Sequence, residues 1–201
     1  MKNLYDNGWK MIIKPRQFEY DQLDLGQPSQ IIKETLIHRL DFGVRNPKGY
    51  LIKGSLFYSD ESRDSSPCIM YCHSHNGNRC EGLEMLKFVV PDFNFCVFDY
   101  SGSGMSQGEY VTLGILEQFD VKAVIGFLAK KYRIKDFFLW GRSMGAVSVL
   151  LFCEKFSKLY RIRGLVLDSP FKDSQEMVSN IYLLLLLSVD FDKGLLFLAQ
   201  K

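Results

Sequence analysis

A doubly wound α/β fold on a mainly parallel sheet is what this sequence predicts, and three observations predict it. Short runs that are apolar throughout, CIMYC, FNFCVFDY, FFLW and GLVLD, recur between residues 68 and 168. Such continuous apolarity suits strands buried on both faces by helices. Each run is followed by a longer segment of helical period, and repeated strand–helix units with right-handed crossovers give this kind of sheet. Ligands on such sheets bind beyond the carboxyl ends of the strands, so the residues just after each run matter most.

In order along the chain, residues 1–30 are mixed and polar, with Pro15, Gly26 and Pro28, and read as an ordered lead-in to a core over 31–201. Two β-rich runs follow, Thr35–Val44 and Tyr50–Tyr58, joined by a turn at Asn46–Gly49. A polar loop, SDESRDSSP, leads to CIMYC, with a helical segment expected over Glu81–Val90. FNFCVFDY precedes a helix over Glu117–Tyr132, on which Val121, Val124, Ile125, Leu128 and Tyr132 form one stripe, as packing on a sheet requires. FFLW precedes a helix over Ser143–Phe156, and GLVLD precedes a helical segment over Lys172–Leu187.

The totals bound the function. With 201 residues, one domain can bury a sizeable core. Net charge is only +2, with no block of like charge, which points away from nucleic acid and toward an ordinary solvated surface. Five cysteines, an odd number with three inside apolar runs, suit reduced thiols in the cytoplasm. MKNLYDNGWK shows no apolar signal region and has Lys at position 2, so neither a secretion signal nor a myristoylation site is expected from it. The most apolar tract, Ile181–Val189, is too short to span a bilayer and reads as a buried helix or lid.

After FFLW comes Gly141-Arg-Ser-Met-Gly145, a G-x-S-x-G between strand and helix. Glycines on either side let strand and helix approach closely at a strained turn that lifts Ser143 above the sheet. The Met144 N–H, at a helix N-terminus, faces the same space and suits a developing negative charge. The loop leaving CIMYC, His73–Arg79, is placed to add a second such N–H, from His75 or Ser74, with His75 preferred. Cys72, His73, His75 and Cys80 also offer four metal-ligand types. Cys72, however, ends a buried strand, and the spacing is not that of a zinc site, so no metal or other cofactor is expected.

Four pieces in order, YCHSHNGNR, FDYSGSGMSQGEYVTLG, LWGRSMGA and GLVLDSPF, resemble the α/β-hydrolase superfamily, in its serine aminopeptidase-like and depalmitoylase-like branch. The resemblance covers roughly residues 30–175. It implies an α/β-hydrolase fold, hydrolysis of an ester, thioester or amide through an acyl-enzyme on Ser143, an oxyanion hole at Met144 with His75 or Ser74, and a structural turn at Asp99, Gly102 and Gly104. The substrate it implies is a small or acylated molecule.

It also implies two further strands, an acid after the first and a histidine after the second. The thirty residues after Phe171 contain no histidine, and a strand–helix unit alone takes about 30 residues. The expectation is therefore an incomplete fold that lacks its last strands and is impaired in catalysis. Asp168 is a candidate variant acid, and Asp190 and Asp192 fall in the expected lid. His38, His73 and His75 remain as unusual candidates for the base. The alternative is a non-catalytic interaction or structural subunit, and in either case the C-terminal leucine-rich segment or a protein partner is expected to cover an exposed apolar edge near Leu165–Leu167.

Overall fold

The computed structural model describes residues 13–14, 19–62 and 66–171, and its sheet lies within one compact unit that ends at Pro170. Seven strands form one sheet: β1 (Ser29–Ile32), β2 (Thr35–Arg45), β3 (Leu51–Tyr58), β4 (Cys68–Cys72), β5 (Asn94–Phe98), β6 (Asp136–Arg142) and β7 (Arg161–Asp168). Their spatial order is β1-β2-β3-β5-β4-β6-β7. The first three strands are antiparallel, and β3 also runs antiparallel to β5, while β5, β4, β6 and β7 are mutually parallel.

The parallel strands carry the site because β4 sits between β5 and β6. Its last residue, Cys72, is level with Gly141 of β6, which is level with Leu167 of β7. The next residues of these strands leave the sheet side by side at their carboxyl ends.

The expected strands are present, and the antiparallel turn is explained by its first residue. Asn46 Oδ1 accepts the N–H groups of Lys48 (2.9 Å) and Tyr50 (3.0 Å), which closes the chain between β2 and β3. β1, at the end of the supposed lead-in, was not foreseen. It pairs with β2 through a two-residue turn whose residues Lys33 and Glu34 both have positive φ (50° and 63°). That turn type normally carries Asn or Gly, so the sequence holds no signal for it.

Helices α2 (Glu117–Lys131) and α3 (Met144–Phe156) pack beside each other, with Phe119 and Phe156 rings 5.8 Å apart. Val121, Val124, Ile125 and Leu128 of α2 are fully buried, as the stripe requires; each such side chain contributes roughly 1.5–3 kcal/mol. The start of α2 is fixed by Glu117, a buried carboxylate that accepts from Thr112 N–H (2.7 Å), Thr112 Oγ1 (2.8 Å) and Gly114 N–H (2.8 Å). On the other face of the sheet, Phe57, Tyr71, Val90, Phe95 and Val97 cluster under the segment that follows the His73 loop.

That segment is not the single α-helix expected over Glu81–Val90. A 3₁₀ helix occupies Arg79–Met85 and a single α turn, α1, follows at Leu86–Val89. Two constraints tighten it. Asn78 Oδ1 caps the Cys80 N–H at 2.9 Å, and Gly82 lies so close to the sheet that a Cβ there would meet Val97 at 2.7 Å and Tyr71 at 2.9 Å.

β7 pairs with β6 alone among the described residues, and its Leu165 and Val166 are exposed. The expected helical segment Lys172–Leu187, the tract Ile181–Val189, Asp190 and Asp192 lie outside the described residues. Among the described residues no helix is long and apolar enough to cross a membrane.

Candidate active site

Ser143 joins β6 to α3 with φ 50° and ψ −114°, a conformation that costs a non-glycine residue about 1–3 kcal/mol. The glycines on either side explain how it is held. A Cβ on Gly141 would lie 2.5 Å from the Gly145 carbonyl oxygen, and one on Gly145 would lie 2.0 Å from the Cys72 carbonyl oxygen. Only hydrogen fits at either place. The Ser143 N–H donates to the Asp168 carbonyl of β7 at 2.8 Å, and its own carbonyl accepts the Val147 N–H at 3.2 Å to begin the helix. Met144, fully buried, is the first helical residue, so its N–H has no carbonyl within the helix to meet.

The His73 loop leaves β4 beside this elbow. His73 is buried, and the Tyr100 N–H donates to its Nε2 at 3.2 Å. Nε2 is therefore the bare nitrogen, the proton is on Nδ1, and Nδ1 donates to the Ser74 carbonyl at 2.7 Å. The ring also meets Tyr100 edge to face, with centroids 4.8 Å apart. Both nitrogens are thus committed to holding the loop.

The Ser74 N–H donates to both oxygens of Glu81 (3.1 and 3.3 Å), and Ser74 Oγ donates to Glu81 Oε2 at 2.6 Å. The Ser74 carbonyl also accepts the Gly77 N–H at 3.1 Å. Of the two candidate oxyanion donors in this loop, Ser74 has its N–H on a carboxylate. His75 is buried, and its N–H belongs to the peptide whose carbonyl His73 and Gly77 hold.

His38 stands on β2, four strand spacings or roughly 19 Å from β6. There it meets Ser29 Oγ (2.9 Å), Asp60 (3.5 Å) and the Tyr58 ring. Asp168 is about half exposed; it pairs with Arg142 Nε at 3.5 Å and accepts Ser169 Oγ at 2.8 Å. Arg142, the residue before Ser143, reaches Glu81 as well, at 3.9 Å.

The turn after β5 is built around Asp99. Its Oδ1 accepts the Arg79 N–H (2.8 Å), and its Oδ2 accepts the Met105 N–H (3.0 Å) and the Tyr20 hydroxyl (2.5 Å). Gly104 closes against this carboxylate, where a Cβ would come within 2.5 Å, and Gly102 at φ 79° closes against the Tyr110 main chain.

Burial pushes the Cys72 thiol up to about 12 and the Cys80 thiol up to about 11. Among the described residues no group of three or more His, Cys, Asp or Glu side chains is arranged to hold an ion.

Two acidic residues near these strand ends carried no signal in the sequence. Glu81 is one. The other is Asp120 on α2, which accepts Asn46 Nδ2 (2.7 Å), Ser101 N–H (2.8 Å) and Ser101 Oγ (2.7 Å), while burial pushes its carboxyl up to about 6. Asn46 and Ser101 also line a cavity of about 140 Å³ with Pro47, Lys48, Leu116 and Phe119, apart from Ser143.

A central parallel sheet, a serine at positive φ between strand and helix, and a loop of buried donors beside it define an α/β-hydrolase. Structural comparison agrees: an esterase of Pyrococcus furiosus superposes with a TM-score of 0.61 at 22% identity, over 86% of this chain and 61% of the esterase. An α/β hydrolase of Novosphingobium aromaticivorans gives 0.51 at 16% identity, over 63% of this chain and 42% of that one.

Residues 83–190 match the serine aminopeptidase S33 family, and the chain belongs to it. Among curated relatives, an uncharacterized protein of Acanthamoeba polyphaga mimivirus is 29% identical over 59% of this chain and 43% of its own length. The uncharacterized protein YqkD of Bacillus subtilis is 27% identical over 69% and 45%, and the lysophosphatidylserine lipase ABHD12 of Gallus gallus is 25% identical over 75% and 39%. The chain thus spans less than half the length of these relatives.

Proposed function

We propose that Ser143 is the nucleophile of a hydrolase acting on a carboxylic ester, thioester or amide, and that the reaction passes through an acyl-enzyme. The observation that carries this is the positive φ of Ser143 between two glycines that admit no Cβ. A fold has little other reason to keep a strained serine at a strand end. Attack of Oγ on the acyl carbon makes a tetrahedral oxyanion, which accepts the Met144 and His75 N–H groups. Collapse expels the alcohol, thiol or amine and leaves the ester on Ser143, which water then cleaves. The lipase and esterase among the relatives favour an ester over an amide.

The proton on Oγ must go to a base. His73 is committed at both nitrogens and His38 is four strands away, so neither is that base. That leaves His75, whose main-chain N–H this reading gives to the oxyanion, and we expect weak turnover of generic esters by these 201 residues. The same observation supports a second reading, in which the chain is a non-catalytic subunit that kept the elbow.

A fluorophosphonate probe on the purified chain separates the two. Stoichiometric labelling that disappears in Ser143→Ala is the expected result. A chain that is folded and stays unlabelled would establish the second reading.

A further inference from the structure

We propose that Glu81 is the positioning residue of the oxyanion loop, holding the Ser74–His75 peptide in place and tying it through Arg142 to the nucleophile elbow. The inference rests on the acyl-enzyme reading and names the side chain on which that site depends.

Three elements converge on this carboxylate. Tyr71, near the end of β4, donates its hydroxyl to Oε1 at 2.9 Å. Ser74 donates both its N–H and its Oγ. Arg142, next to Ser143, brings its guanidinium to 3.9 Å from Oε1 and is held on its other side by Asp168. The loop also closes over the carboxylate, because a Cβ on Gly77 would lie 2.2 Å from Oε2. Glu81 is mostly buried, with 16% of its side chain exposed, so these bonds are shielded from water.

The side chain suits the task. An ionised carboxylate offers about four acceptor sites and no donor, so it takes three donors and faces a cation without conflict. The Ser74–His75 peptide is trans, and its carbonyl is held by His73 Nδ1 and the Gly77 N–H, which turns the His75 N–H the opposite way. Glu81 fixes the other end of the same residue through the Ser74 N–H. With both ends held, the donor cannot swing. With Glu81 gone, the Ser74 N–H, Ser74 Oγ and Tyr71 hydroxyl lose their acceptor together.

The proposal is tested on purified wild-type chain, Glu81→Ala, Glu81→Gln and Ser143→Ala with two readouts. The first is fluorophosphonate labelling, resolved into a maximal rate and a half-saturating probe concentration. Displacing a catalytic group by ~1 Å costs about 100-fold, so Glu81→Ala is expected to lower the maximal rate by about that factor, with the final stoichiometry of labelling intact. Glutamine keeps an acceptor for Tyr71 and the Ser74 N–H and a donor for Ser74 Oγ, so Glu81→Gln should stay within about tenfold of wild type. A merely structural role would instead lower the final stoichiometry and leave the rate of the folded fraction unchanged.

The second readout is amide hydrogen exchange. Glu81→Ala should speed exchange over residues 74–78 and leave the protection of residues 144–156 as it was. Wild-type labelling kinetics in Glu81→Ala, or exchange that rises evenly through the chain, would overturn the proposal. Should wild-type Ser143 take no probe at all, the acyl-enzyme reading has failed, and exchange alone decides. Loop-confined acceleration then supports the clamp, and unchanged exchange refutes it.

Discussion

Replacing Gly145 by alanine adds one methyl group between the first turn of α3 and the end of β4. Two effects oppose each other. Alanine favours a helix over glycine by about 1 kcal/mol, so on an exposed helix the change would stabilise. Here the new Cβ would sit 2.0 Å from the Cys72 carbonyl oxygen and 2.7 Å from that of His73. Both obstacles are main chain, and β4 is held between β5 and β6, so neither can rotate away. To reach even a tight contact, strand and helix must part by about 1 Å. Overpacking of a rigid site costs about 1–3 kcal/mol, and main-chain obstacles put this one at the upper end. The net loss is then about 2 kcal/mol, which lowers Tm by about 4–8 °C in a chain of this size. Thermal unfolding followed by circular dichroism measures it, with Gly126→Ala as the control. That glycine, on α2, faces only the Tyr160 hydroxyl at 3.1 Å, which can swing aside, so the control should hold or gain stability. A Gly145→Ala chain that melts at or above the wild-type temperature would refute the steric account of the elbow.

Two more outcomes follow from the same geometry. Ser143→Gly removes the strain of a positive φ, about 1–3 kcal/mol, against an entropic cost of about 0.5–1 kcal/mol, so it should raise Tm by about 2–4 °C while abolishing labelling; a lower Tm would mean that Ser143 is not strained. The carboxyl of Asp120 is raised from 3.8 to about 6, so its protonated form is favoured by folding. The stability it contributes is complete below pH ~4 and is lost as pH rises through about 6, a change of roughly 3 kcal/mol. In urea unfolding, the stability of wild type relative to Asp120→Asn should therefore fall by up to that amount between about pH 4 and about pH 7, and a difference that does not vary with pH would show that Asp120 is not the titrating group.

The elbow was legible because its cause is local. Gly141 and Gly145 are forced by a turn that five residues define, and the runs on either side of it declare a strand and a helix. The parallel strands were legible for the same reason, since burial on both faces leaves CIMYC and NFCVF without alternation. Glu81 was not, because its partners Tyr71, Ser74 and Arg142 come from three elements and nothing in C-E-G-L-E marks one glutamate from the other. Asp120 was hidden by its neighbours: a helix read by its apolar stripe of Val121, Val124 and Leu128 gives no reason to expect a buried carboxyl one residue before it. The Lys33–Glu34 turn was hidden by its own composition. The antiparallel pairing of β3 with β5 depends on which strand edge is open, and no local pattern records that.

The three buried thiols give the sheet a gauge of its own opening. Cys68 and Cys72 on β4 and Cys96 on β5 are free and fully enclosed, and burial holds all three thiols well above their usual range. An alkylating reagent needs both access and a thiolate, and neither exists until the centre of the sheet comes apart. Cys80 and Cys153, which are only partly enclosed, would be consumed first and counted separately. The slow remainder then clocks the separation of β4 from its neighbours, with no label added and no residue changed. Because β4 delivers the His73 loop and its neighbour β6 delivers Ser143, that clock times a fluctuation that takes Ser143 and the His73 loop apart.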